Sequence, residues 1–205
     1  ASVEGHGVTV VRRRGLDVSL GAELAKCEHY GFDPSGERLL VDFTPLPRPY
    51  DRDRRFAVWS VARGDVVHLA RSPNSVRTPF LARVRSSTAT DAIGFHRGGT
   101  HVVAITQAGP REVLATAWSV DGARVVTEPI AGLAGGRAWL EPGGDRVLWE
   151  EQLHRRCALS LFRVEPTSRG LTIAPLGAFR LDEPMDVCDV AWEADGSILV
   201  AYLKN

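Results

Sequence analysis

The chain has 205 residues, of which 44% are hydrophobic, and its 25 basic and 25 acidic side chains give a formal net charge of zero. This composition supports a substantial core in one domain or slightly more. It argues against binding to bulk nucleic acid or to an anionic membrane surface, because both favour a strong basic excess. No apolar run approaches the ~20 residues of a membrane-spanning helix, and no signal peptide is visible.

The chain begins with half of a repeating pattern. Two short strands are predicted within 8–20, separated by three arginines and Gly15. The first complete unit follows and opens at Phe32-Asp-Pro-Ser-Gly36. Three further copies of this opening follow it, each with a large apolar residue four positions before a glycine. The glycines of the four copies are Gly36, Gly99, Gly144 and Gly196. An apolar run follows each glycine, so each copy predicts a strand, a tight turn with glycine at positive φ, and a second strand.

A second signature follows the first in three of the units. Trp59-Ser-Val61 leads to Gly64, Trp118-Ser-Val120 leads to Gly122, and a similar run around Phe162 leads to Gly170. Another β-type run comes after each of these glycines. One unit is therefore predicted to contain four short strands, and no helical periodicity extends over three turns anywhere in the chain. Strands are expected near 38–43, 56–61, 101–106, 114–120, 145–150, 158–164 and 197–203.

Units of four strands at spacings of 63, 45 and 52 residues are typical of β-propeller blades. The F-x-P-x-G of Phe32 to Gly36 and the W-S-V runs at Trp59 and Trp118 resemble the repeats of bacterial WD40-like and TolB-like propellers. The resemblance covers residues 26 to 203 and implies a scaffold rather than a particular activity.

The predicted fold is an all-β, propeller-like array of four-stranded antiparallel blades in a single domain over 1–205. Its units lie at about 26–72, 91–131 and 135–178, and a fourth blade is shared between 8–20 and 187–203. The alternatives are an open part of a larger ring, or a half ring that pairs with a second copy as a homodimer. Segment 73–90 is longer than a blade connection and is either a loop or an extra strand.

Blade topology places the connections after the second strands on one face, opposite the glycine turns. These connections differ between the units, and variable loops on a rigid scaffold usually carry recognition. The predicted binding residues on this face are Tyr50, Arg54, Arg55, Arg111, Glu151, His154, Arg155 and Arg156. Solvated surface charge is the alternative interpretation of the same residues.

Other side chains suggest chemistry only weakly. Asp42, Glu150 and Asp189 are the few acids that could converge on an axial metal, as in propeller lactonases. Trp59, Trp118 and Phe162 could stack on sugars, but their matching positions favour packing between blades. Trp149 lies outside that register and is expected to be partly exposed. Catalytic nucleophile, phosphate-binding and dinucleotide-binding motifs are absent, so no catalytic residue, cofactor or metal is predicted.

The three cysteines, Cys27, Cys157 and Cys188, lie in apolar strand contexts and form no C-x-x-C pair. They are predicted to be reduced core thiols of a cytoplasmic protein. Three functions remain in view. The first is a non-catalytic module that binds a protein or peptide, as a regulatory or scaffold part of a larger bacterial protein. The second is a hydrolase or lactonase of the propeller type with an axial metal. The third is a propeller that binds a small ligand or sugar.

Overall fold

The computed structural model describes residues 2–4, 7–11, 17–20, 24–45, 55–71, 92–109, 111–133, 136–153, 156–181 and 185–204. Every regular element in this part of the chain is a strand. The described residues contain no helix long and apolar enough to cross a membrane. Segment 73–90 lies outside the described residues.

The strands form five antiparallel sheets in chain order. The N-terminal sheet contains β1 (Ser2–Glu4), β2 (Gly7–Val11) and β3 (Asp17–Leu20). Blade 1 contains β4 (Leu24–Phe32), β5 (Arg38–Pro45), β6 (Arg55–Ser60) and β7 (Asp65–Arg71). Blade 2 contains β8 (Ala92–Phe95), β9 (His101–Gly109), β10 (Glu112–Ser119) and β11 (Val125–Pro129). Blade 3 contains β12 (Gly136–Leu140), β13 (Arg146–Leu153), β14 (Arg156–Pro166) and β15 (Leu171–Leu181). The C-terminal pair contains β16 (Met185–Trp192) and β17 (Ile198–Lys204).

This architecture confirms the predicted all-β array of four-stranded antiparallel blades, and the seven expected strands are all present. Each blade is a simple meander in which consecutive strands pair. The N-terminal sheet differs from the expectation because β1 pairs with β2 and adds a third strand. Among the described strand pairs, none joins the N-terminal sheet to the C-terminal pair, so the shared blade stays a prediction.

The core lies between the sheets rather than on one side of them. In the second strand of each blade, consecutive residues are buried on both faces; these runs are Leu39–Asp42, Val102–Thr106 and Val147–Glu150. Such continuous apolar runs are typical of strands covered on both sides. Each blade therefore needs a neighbour on each face.

Blades 1 and 2 pack through aromatic side chains. Phe56 of blade 1 is fully buried, and its ring meets that of Trp118 of blade 2 edge to face, with 5.0 Å between the ring centroids. Edge-to-face pairs stabilise beyond the area that they bury. Trp118 and Phe162 are both buried and serve packing between blades, as predicted, whereas Trp59 is only partly buried.

Blades 2 and 3 enclose the largest apolar cluster, which includes Ile105 and Val113 from blade 2 and Trp149 from blade 3. Trp149 is only 1% exposed, so the expectation that it is partly exposed was wrong. It shares a sheet face with Val147, two residues earlier in the strand, and that face is pressed against blade 2. The other face of blade 3 packs Leu148 and Leu159 against the C-terminal pair.

The glycine turns follow the predicted pattern with one correction. Gly36, Gly99 and Gly196 have φ angles of 71°, 66° and 91°, in the left-handed region. In the third unit Gly143 adopts a φ of 64° and Gly144 does not take a left-handed φ. Pro142 precedes Gly143, and proline followed by glycine matches the two central positions of a type II turn. Gly144 still lies in the predicted turn, and the expectation that most of the four glycines take a positive φ is confirmed at the other three.

The last turn is one residue shorter than the others. The amide of Glu193 donates to the carbonyl of Ser197, four residues on, whereas the amide of Asp33 donates to Arg38, five residues on. Ala191 consequently pairs with Leu199 in the C-terminal pair, as Gly31 pairs with Leu40 in blade 1. This shortening explains why the apolar run of the fourth copy begins one residue early in the sequence.

Gly36→Ala tests the left-handed turn in isolation. No atom lies within 4 Å of a Cβ built on Gly36, so the only penalty is the φ of 71°. We expect the free energy of unfolding to fall by roughly 1–2 kcal/mol, measured by urea denaturation. Gly31→Ala is the matched control, because that position is equally open and has no left-handed φ. Equal stability of the two variants would contradict the turn assignment.

Candidate binding face

The blade meander sorts the connections onto two opposite faces. The turns after the first and third strands lie at one end of every blade and form the Gly-turn face. The connections after the second strands, together with the links from sheet to sheet, lie at the other end and form the loop face. These two faces present different chemistry.

On the Gly-turn face, hydrogen bonds join each unit to the next. Arg38 of blade 1 donates through Nη1 to the carbonyl of Gly99 in blade 2, at 2.9 Å. Arg146 of blade 3 makes the equivalent bond to the carbonyl of Gly196, at 2.6 Å. In blade 2 His101 takes the arginine position, and the link to blade 3 is made instead by the amide of Arg97, which donates to the Gly144 carbonyl. The polar groups of this face thus hold the blades in line.

Arg146 makes several contacts on the Gly-turn face. Its Nε donates to Glu141 Oε2 at 3.0 Å, and its guanidinium lies 5.2 Å from the centre of the Trp192 ring. The hydrogen bond from Arg146 holds the pKa of Glu141 below its usual value, against the opposing effect of partial burial. Burial lowers the pKa of the His96 ring nearby, so that ring is neutral at physiological pH.

The loop face contains all of the predicted binding residues that the structure describes. Arg111 is exposed in the connection between β9 and β10, next to a bulge where Glu112 pairs with Gly109. Glu151 is half-buried near the end of β13. Arg55 and Arg156 are the first residues of β6 and β14, where the chain returns from this face. Four of the predicted residues lie outside the described part of the chain: Tyr50, Arg54, His154 and Arg155.

Glu150, which the sequence suggested as an acid or metal ligand, instead joins two sheets. It is fully buried, and its Oε1 accepts the backbone amide of Val187 on β16 at 3.1 Å. Arg137 pairs with Glu150 across the sheet, and its Nη1 donates to the backbone carbonyl of Val187 at 3.2 Å. Both backbone groups of Val187 are therefore held by charged side chains of blade 3. The Val187 amide thus supplies one hydrogen bond to a side chain that burial has removed from water.

Asp42 occupies the equivalent position in blade 1. It lies six residues after Gly36, as Glu150 lies six residues after Gly144, and both carboxylates are fully buried. Asp189 is exposed, and its Oδ1 accepts the adjacent amide of Val190. Among the described residues, no group of three His, Cys, Asp or Glu side chains could hold a metal ion. These acids therefore give no support to the axial-metal alternative.

The sequence did contain a signal for these links. Arginine stands two residues after the turn glycine in the first and third units, and a carboxylate stands six residues after it in the same two units. Residues repeated in register between units point to a shared structural role. The sequence pattern could not identify the partners of Arg38, Arg146 and Glu150, because these partners are backbone groups of the following unit.

Comparisons with known proteins support the fold alone. Neither a protein-family model nor a curated protein matches the chain. Among solved structures, hydrazine synthase from Kuenenia stuttgartiensis superposes with a TM-score of 0.50 at 13% identity, over 77% of this chain and 46% of that one. A puromycin hydrolase matches with a TM-score of 0.49 and 17% identity, over 95% of this chain and 32% of that one. TolB from Acinetobacter baumannii matches with a TM-score of 0.31 and 9% identity, over 84% and 47%.

The chain thus spans less than half the length of each of these three structures. The superposition on hydrazine synthase, a propeller protein, supports a β-propeller-like fold. At these identities the superpositions indicate no activity.

Glu141→Gln tests the electrostatic link on the Gly-turn face. Because the folded-state pKa of Glu141 lies below its unfolded value, its ionised form stabilises the fold above that unfolded value, about 4.3. This contribution is lost as the pH falls through the lower folded-state pKa. We expect Glu141→Gln to lower the free energy of unfolding at pH 7 by up to about 1 kcal/mol. The difference between parent and variant should shrink near pH 3, and urea denaturation at both pH values would measure it. A difference that does not change with pH would contradict the proposed role of the ion pair.

Proposed function

We propose that the chain is a non-catalytic propeller module that binds a protein or peptide segment on its loop face. The observation that carries this proposal is the contrast between the two faces. Polar groups of the Gly-turn face bond to the neighbouring unit, through Arg38, Arg97 and Arg146. The loop face instead presents connections that differ from blade to blade, with Arg111 exposed in one of them. Recognition on a rigid scaffold usually resides in such connections.

The charge of the predicted residues points to an acidic partner. Five of the eight are arginines, and Glu151 is the only acid among them. Arginine binds carboxylates through paired hydrogen bonds and is enriched in protein interfaces. We therefore infer that the bound segment is an extended peptide rich in Asp and Glu, held in a regulatory or scaffold role.

Selection from a displayed random peptide library tests this function. We expect the selected peptides to be enriched in acidic residues. Combined Ala substitution of Arg54, Arg55, Arg155 and Arg156 should lower the affinity for a selected peptide by roughly tenfold or more at low salt. The loss of affinity should be smaller at high salt, where charge attraction is screened. Fluorescence anisotropy with the labelled peptide would measure both affinities.

A matched pair of single variants assigns the face. Arg111→Ala removes an exposed arginine from the loop face, and Arg169→Ala removes one from the turn between β14 and β15 on the Gly-turn face. Only Arg111→Ala should weaken the selected peptides. Binding that is lost with Arg169→Ala, or that is indifferent to every loop-face arginine, would overturn the proposal.

A further inference from the structure

Two apolar surfaces at opposite ends of the row of sheets are exposed where the repeat requires burial. Leu199 of the C-terminal pair is 59% exposed. Leu199 pairs with the residue just before the last residue of the first strand, and Leu40 and Leu148 hold the same pairing position in blades 1 and 3. These two leucines are only 1% and 2% exposed. The difference arises because each of those leucines packs against the following sheet, and the C-terminal pair has no following sheet among the described residues.

The first strand of blade 1 also exposes apolar side chains, on the face that points away from blade 2. Phe32 is 43% exposed, whereas its equivalent Phe95 in blade 2 is 4% exposed because it packs against Leu40 of blade 1. Tyr30, two residues before Phe32 on the same face, is 52% exposed. The surface that should receive a preceding sheet is therefore open at the first strand. We call Tyr30 and Phe32 the leading surface, and Leu199 with Ala191 and Ala201 the trailing surface, on whose edge the exposed Asp189 pairs with Ala201.

The N-terminal sheet does not cover the leading surface. Its strand β2 lies against β4, yet Tyr30 and Phe32 on β4 remain exposed. The C-terminal pair supplies first and second strands. It leaves Phe179 on β15 58% exposed, and β17 pairs only with β16 among the described strands.

We propose that the C-terminal pair of one copy of this chain packs on blade 1 of a second copy. The trailing surface of one copy then covers the leading surface of the other, and Leu199 meets Phe32 in the way that Leu40 and Phe95 share one apolar cluster within the chain. The contact continues an interface that already joins the blades. In a dimer each chain places its trailing surface on its partner's leading surface, so the two junctions are equivalent.

A second copy is favoured over closure within one molecule for two reasons. Both surfaces are open at once in the single chain, so they do not cover each other. The sheets also superpose, with a TM-score of 0.50, on 46% of a longer chain, which fits an arc of a larger ring.

The test is the mass of the purified chain by sedimentation equilibrium. We expect a particle of twice the 22.3 kDa chain mass. Leu199→Asp and Phe32→Asp should each raise the dissociation constant of the dimer by roughly tenfold or more. Leu199→Asp keeps an intact leading surface, and Phe32→Asp keeps an intact trailing surface. Mixing the two variants should therefore restore association, because one of the two junctions in the mixed dimer then joins two intact surfaces.

Val125→Asp is the control, because Val125 is 55% exposed on the outer strand of blade 2 and lies on neither surface. Circular dichroism would confirm that all variants fold, as expected for substitutions at exposed positions. A monomeric parent chain would overturn the proposal. A dimer indifferent to both aspartates, or folded variants that fail to associate when mixed, would do so equally.

Discussion

Burial of each sheet on both of its faces is the constraint on which the rest of this structure depends. The second strand of each blade is apolar on both sides, so a blade left alone would expose one entire face to water. Stacking the sheets face to face solves this for every interior face and makes a row of alternating sheets and apolar clusters. At the two ends of the row a covering sheet is missing among the described residues. Phe32 and Leu199 are exposed there for the same reason that Phe95 and Leu40 are buried.

A row of stacked sheets also needs directional interactions that fix how neighbouring sheets are placed, since apolar contact alone is not directional. The Gly-turn face supplies them through arginine side chains and one backbone amide that reach carbonyls of the next unit. Arg137 and the buried Glu150 do the same near the opposite end of blade 3, because they hold both backbone groups of Val187. A charged hydrogen bond to a backbone group is directional and strong in a buried site. Charges that looked like candidate chemistry in the sequence therefore serve alignment.

The role of the Gly-turn face in aligning the units is the reason for our proposal that recognition takes place on the loop face. Changes at Arg38 or Arg146 would remove contacts that join one unit to the next. Parts of the loop face also serve the core, because Ile130 and Leu133 in the link from blade 2 to blade 3 are buried in the cluster between these blades. In our proposal, function depends on the connections that do not repeat, such as the one that holds Arg111.

The sequence by itself determined the strands, the four-stranded units and the turns at Gly36, Gly99 and Gly196, because short apolar runs and positive-φ glycines are local requirements. It also indicated which connections share a face, since that follows from the meander. Only the tertiary structure decided that Trp149 is buried, that Gly143 rather than Gly144 turns the chain, and that Glu150 bonds to Val187. Each of these outcomes depends on a neighbouring sheet or on the geometry of one turn. A repeat in sequence specifies what a unit is, but burial and hydrogen-bond partners depend on what packs beside it.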